Sequence, residues 1–290
     1  MKTDRRLFAG IFPSRDRQWL LFWVISIVAV GIWDLLFLNR PAFRRVIDGF
    51  INTFTIALLV VIFTLAMSWI ITLVIQRLRR THNSIGLYIT TFLLNLIRSI
   101  PQIVGILFGY IAIAALVTAG YLPGKISIFL LMAFCMSCFI IPEVIDLLRE
   151  RIEHFSKLDF FNALLVCGVS EWRIINFDIL WKNSRIHILN KLISVFGSAV
   201  FLQCSVDFII SVGLSSDVNA VTLPTTLGSL LAKMDSKQDI LAIGNSITNP
   251  TYIPNLFFQH LQGLTVAFLI VVTILAAYQI SCGYAERHRL

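Results

Sequence analysis

Long apolar runs, each about the length of a bilayer crossing, alternate along the chain with short polar or basic connections. A helix needs about 20 mainly apolar residues to cover roughly 30 Å of hydrocarbon. Six runs reach that length: Trp19 to Leu38, Phe50 to Ile75, Leu87 to Val117, Ile126 to Leu147, Ile186 to Val212 and Leu261 to Ile280. The pattern predicts an all-α membrane protein with six transmembrane helices. The fifth run is the most interrupted, with His187, Asn190 and Lys191 in its first turns.

Composition agrees. Of 290 residues, 57% are hydrophobic and only 14% charged, against about 25% charged in soluble domains. The net charge of +8 raises the question of a polyanion partner, and the positions of the basic residues answer it. With the N-terminus inside, seventeen Lys and Arg fall in the cytoplasmic connections and six in the outer ones. Cytoplasmic enrichment of this kind reports orientation, so N-in and C-in is the expected topology. The charge then anchors the chain at the lipid surface, and no basic patch interleaved with stacking aromatics points to nucleic acid. Residues 1–18 read as a cytoplasmic N-terminus and 284–290 as a cytoplasmic C-terminus, flanking one membrane domain over 19–283. The basic N-terminus before the first apolar run looks like a secretory signal, but without a small-residue cleavage site it is expected to remain as a span.

Two connections are long. One, about 213–260, falls outside and contains Pro224, Pro250 and Pro254; the other, about 148–185, falls in the cytoplasm. Within the second lies "FFNALLVCGVSEWRIINFDILW", Phe160 to Trp181, whose apolar residues are broken by Asn162, Ser170, Glu171, Arg173, Asn176 and Asp178. Phe161, Leu164, Leu165, Gly168, Trp172, Ile175 and Ile179 fall near one helical face. Gly168 weakens a helix by about 1 kcal/mol relative to alanine and permits a sharp turn. Two short amphipathic helices meeting near Gly168, Val169 and Ser170 are therefore expected. Such an elbow either lies on the membrane surface or presents a knob to a partner.

The residue order of this stretch resembles the EAA loop of ABC-transporter permeases. Ala163, Gly168 and Leu180 match that pattern, whereas Asn162, Leu164, Asp178 and Trp181 depart from it; "GVSEWRII" fits the family's glycine, small residue, serine and Trp-Arg pair. Flanking segments resemble the permeases of dipeptide, oligopeptide and nickel importers. "NSRIHILNKLISVFGSAVFLQCSVDF" looks like that family's fifth span, and "TLGSLLAK", Thr226 to Lys233, like its outer Trp-Gly-x-Met-Leu segment with Leu227 in place of tryptophan. "GLTVAFLIVVTILAAYQISCGYAER" looks like its closing span, with Cys282 where an aspartate is usual. The resemblance covers roughly Phe50 to Arg287, in order along the chain, while the connection after the first span is shorter than that family's.

The resemblance implies a type I importer permease fold and a definite set of partners. These are a second permease subunit, two ATP-binding subunits and an extracytoplasmic substrate-binding protein, in the inner membrane of a cell and surrounded by its lipid. ATP and Mg²⁺ would belong to the partner ATPases, with no cofactor in this chain. Ala163 and Gly168 would shape the coupling helix, and Val169, Ser170 and Trp172 its contact surface. Asn162 stands where that family has an acid. The implied cargo is a peptide or similar small solute; a channel, another transporter, or a transport-incompetent anchor on the same fold are the alternatives.

Polar groups inside spans are functional candidates, because lipid exposure costs each about 2.5–3.5 kcal/mol on insertion scales. Arg98, beside Pro101, either lines the translocation path or meets a partner subunit, or it marks an interfacial turn before a shorter span. Asp207, near the outer end of the fifth run, either faces the path or reaches outer water. Glu143 after Pro142 is expected to cap or anchor the cytoplasmic connection. Gly105 and Gly109 form a G-x-x-x-G that allows close helix packing. Cys135 and Cys138, inside an apolar run, read as small packing residues, with no catalytic or metal site indicated. "GYLPGK", Gly120 to Lys125, is one residue short of a phosphate-binding loop and reads as a turn. Scattered histidines, with no H-E-x-x-H or G-x-S-x-G, argue against an intramembrane hydrolase.

Overall fold

The computed structural model describes residues 14–81, 84–121, 124–213, 223–233, 244–255 and 261–288. Residues 1–13 and much of the connection between Gly213 and His260 lie outside them, as do Leu122 and Pro123 of the "GYLPGK" turn. Among the described residues every regular element is helical. The helices are α1 (Arg15–Phe37), α2 (Arg40–Arg80), α3 (Ser84–Ser99), α4 (Gln102–Thr118), α5 (Lys125–Ser156) and α6 (Asp159–Val166). There follow α7, a turn over Glu171–Arg173 that widens into a π-helix over Ile174–Asn183, then α8 (Arg185–Gly213), α9 (Leu227–Lys233) and α10 (Leu261–His288). Five of these, α1, α2, α5, α8 and α10, are long and apolar enough to cross a membrane, and α3 with α4 makes a bent sixth candidate. The chain is a multi-pass membrane protein.

α2 packs along α5 and α8, α10 lies against α8 and α1, and α4 covers α5. Lipid offers no hydrophobic drive to hold one apolar helix on another, so small side chains and interhelical hydrogen bonds must do it. The buried stripe of α2 interleaves Val46, Ile56, Val60 and Ile75 with the small or polar Gly49, Asn52, Thr53, Ala57, Thr64, Ser68 and Thr72, while Leu58, Ile62 and Ile70 face outward. α1 is the extreme case. Its two buried residues are aspartates: Asp34 accepts from Thr265 Oγ1 at 3.0 Å, and Asp16 pairs with Arg287 at 2.8 Å. Trp23 Nε1 adds a bond to Thr273 Oγ1 at 3.2 Å. An otherwise lipid-facing helix is thus fastened to α10 by polar pins.

The third apolar run differs from a single crossing. It breaks between Ser99 and Gln102 with a bend of 94°. Pro101 has no N–H for the helical ladder and disfavours helical geometry at Ile100. Beyond the bend, a Cβ on Gly105 or Gly109 would overlap the Phe139 ring or the Cys135 sulfur, so α4 lies directly on α5 there. Cys135 and Cys138 are unpaired and half-buried in that contact.

Around Pro142 of α5, whose missing N–H leaves the Cys138 carbonyl without its helical donor, neighbouring helices donate to nearby carbonyls. Ser68 of α2 donates to Ile141 O at 3.3 Å and Gln102 of α4 to Phe139 O at 3.3 Å. Gln102 also reaches Glu143, which Lys191 of α8 pairs at 2.8 Å, while Arg98 pairs with Asp146 at 2.5 Å. Arg98 therefore ends α3 at the bend and ties it to α5, and Glu143 ties α5 to α4 and α8. This polar hub fixes the bent pair in place.

Candidate functional site

α2 is 41 residues long, about 60 Å at 1.5 Å per residue, roughly twice the hydrocarbon thickness. Its last turns, with Gln76, Arg77, Arg79 and Arg80, stand beside the elbow formed by α6 and α7. The turn between them is set by Gly168 at φ +80°. That left-handed backbone costs an L-residue about 1–2 kcal/mol, and no other atom crowds the position. Gly168→Ala is accordingly expected to lower stability by about 1–2 kcal/mol through the backbone alone, read by thermal unfolding of the protein in lipid nanodiscs.

The base of the elbow is pinned. Trp69 Nε1 of α2 donates to Asn176 Oδ1 at 2.8 Å, and Arg80 pairs with Glu171 at 3.5 Å. Ile174, Ile175, Ile179 and Leu180 of α7 are buried in the main core, and Phe161, Leu164 and Val169 pack against it. The tip is the opposite. Val166 is 89% exposed, Trp172 53% and Leu165 40%, with Cys167 exposed between them. Asn162, Ala163, Gly168 and Ser170 are exposed as well.

This corrects one detail of the helical-face reading. Phe161, Leu164, Ile175 and Ile179 turn inward as that face predicts, but Leu165, Gly168 and Trp172 turn outward. The chain reverses at Gly168 and continues as a π-helix, so one 3.6-residue face does not run through the stretch. Between Trp172 and the basic end of α2 lies a groove of about 450 Å³, lined by Gln76, Arg77, Arg80 and Ile175 among others. Trp69, Gln76 and Arg80 were not candidates from the sequence; their signal, a Trp and an Arg on the inner end of a span, is common to many membrane helices.

A second polar centre lies near the other end of α8. Asp207 is 5% exposed and accepts from Thr226 Oγ1 at 2.6 Å, so it is buried rather than open to water. Thr226 caps α9: its hydroxyl also accepts from Ser229 N at 3.2 Å. Asn52 of α2 holds Thr225 O at 2.7 Å, and Thr53 Oγ1 accepts from Leu227 N at 3.0 Å. A Cβ on Gly228 would collide with the Cys204 backbone of α8, and one on Gly49 with Leu230. The segment from Leu223 to Lys233 is thereby seated in a slot between α2 and α8. Arg98 lies in the separate hub at the α3–α4 bend, so it and Asp207 form no common site. Among the described residues, no three His, Cys, Asp or Glu gather as metal ligands.

No protein-family profile, curated protein or solved structure matches the chain.

Proposed function

We propose that this chain is one of two permease subunits of an ATP-driven ABC importer of the inner membrane, with six spans, N-in and C-in. Its cargo is a peptide or similar small solute. The observation that carries the reading is the elbow: an exposed apolar tip of Leu165, Val166 and Trp172 on a base pinned to α2 and rooted in the core. An interfacial helix resting on lipid needs no such root. A knob that is to move spans does, because motor closure passes through it as rigid-body motion.

The charge asymmetry of the connections supports a cytoplasmic elbow, where water-exposed apolar side chains would serve as a partner surface. The segment order resembling dipeptide, oligopeptide and nickel importer permeases supports an ATP-binding subunit as that partner. Asn162, Ala163, Gly168, Val169, Ser170 and Trp172 form or flank the contact. No nucleotide site is assigned to the chain itself; hydrolysis belongs to the ATPase pair. The hub at Arg98 and the seat at Asp207 are the polar points where elbow motion would reach the pathway, and the outer connection would meet the substrate-binding protein.

Reconstitution tests this. Proteoliposomes holding both permeases and the ATPase pair, supplied with binding protein, are expected to take up solute only with ATP. Ion current or uptake by the chain without ATP would contradict the reading and favour a channel.

A further inference from the structure

Asp207 occupies an unusual setting for a carboxylate. It is 5% exposed on a helix apolar enough to cross a membrane. Its hydrogen bond comes from Thr226, and no Lys, Arg or His among the described residues pairs with it. One turn back on α8, Gln203 is fully buried with its amide beside the carboxylate, and neither amide atom finds a partner elsewhere. α2 offers Asn52 and Thr53, and α9 offers Thr226 and Ser229. Tyr110 of α4 and Cys204 of α8 stand within electrostatic range of it, and neither side chain can carry a positive charge. No charged side chain from α2, α4, α9 or α10 is set against it among the described residues.

An ionised carboxylate here would be a buried charge with no cationic partner, a costly arrangement. A carboxylic acid fits better. Its O–H would give the buried Gln203 amide oxygen a donor, while Thr226 keeps its bond to the other oxygen.

We propose that Asp207 is a proton-binding site inside the membrane domain, and that the bound proton fastens the Leu223–Lys233 segment into its slot. The carboxylate takes one proton from water as the segment seats and returns it as the segment leaves. The O–H bond is the one covalent bond made and broken. With the proton bound, Thr226 stays locked between Asp207 and Ser229, and Asn52 and Thr53 hold the backbone on either side. Without it, the unpaired charge favours hydration, which requires the segment to lift. The inference concerns this seat alone and does not rest on the importer reading.

Infrared spectroscopy of the full-length chain in lipid nanodiscs, with ¹³C-labelled aspartate, tests it through the stretch of a protonated carboxyl group. Asp34, also buried, is the control. A protonated-aspartate band is expected at neutral pH, retained in Asp34→Asn and lost in Asp207→Asn. In a Cys167→Ser background, Ala232→Cys is expected to react faster with an impermeant thiol reagent as pH rises, relative to the same protein carrying Asp207→Asn. A band untouched by Asp207→Asn overturns the proposal. Absence of a protonated-aspartate band in Asp34→Asn overturns it equally, and that result does not depend on Asp207→Asn folding.

Discussion

Val166→Asp is expected to weaken association with the ATP-binding subunits by about 30- to 1,000-fold, or about 2–4 kcal/mol, without altering the membrane fold. Val166 is the most exposed apolar side chain of the elbow tip, so its own chain gains nothing from it. In a docked complex it would be dehydrated together with Leu165 and Trp172. A carboxylate there would enter the interface without a partner, and such a charge is strongly unfavourable. Affinity measured between the nanodisc-held chain and a purified ATPase subunit reads the effect directly. An unchanged affinity would remove the tip from the interface.

Gly228→Leu carries the largest expected effect on the fold, about 2–3 kcal/mol. The space a side chain needs at Gly228 is filled by the Cα, carbonyl carbon and oxygen of Cys204. Backbone in the middle of a 29-residue helix cannot yield as a flexible side chain can. The segment must lift, breaking the bonds of Asn52 to Thr225 and of Thr53 to Leu227 and leaving those buried groups unpaired. A lowered unfolding temperature in nanodiscs, with greater thiol accessibility at Ala232→Cys, is the expected result. Gly49→Ala is milder, since it meets the movable end of Leu230.

The spans were legible because their signal is composition over 20 or more residues, which lipid enforces. The bend at Gly168 was legible for a different reason: a helix-weakening residue sat between two amphipathic stretches. What escaped the sequence is long-range pairing. Nothing local announces that Trp69 will meet Asn176, or that Thr226 will cap a short helix while binding Asp207, 19 residues away. The run from Leu87 to Val117 read as one crossing, and apart from Pro101 nothing local in it gives the 94° turn or the pairing of Arg98 with Asp146 and Gln102 with Glu143 that accompanies it. The π-helical winding of Ile174–Asn183 likewise has no periodic signature, because it shifts side chains off the face that 3.6 residues per turn would predict. The inward face of α2 mixes aliphatic residues with Asn52, Thr53, Thr64, Ser68 and Thr72, polar positions that in a soluble protein would read as the outside. Here burial of small polar groups is how apolar helices hold together.

Cys167 lets the central claim be tested with the native chain. It is exposed at the tip of the elbow, next to Val166 and Gly168, whereas Cys135, Cys138, Cys204 and Cys282 lie within the long helices and are buried or half-buried. A short thiol-directed cross-linker applied to the complex reconstituted with its ATP-binding subunits is expected to join Cys167 to one of them, with the product lost in Cys167→Ser. Cys167 that reacts with a soluble thiol reagent as freely in the complex as alone, and yields no cross-link, would contradict docking of this elbow on an ATPase.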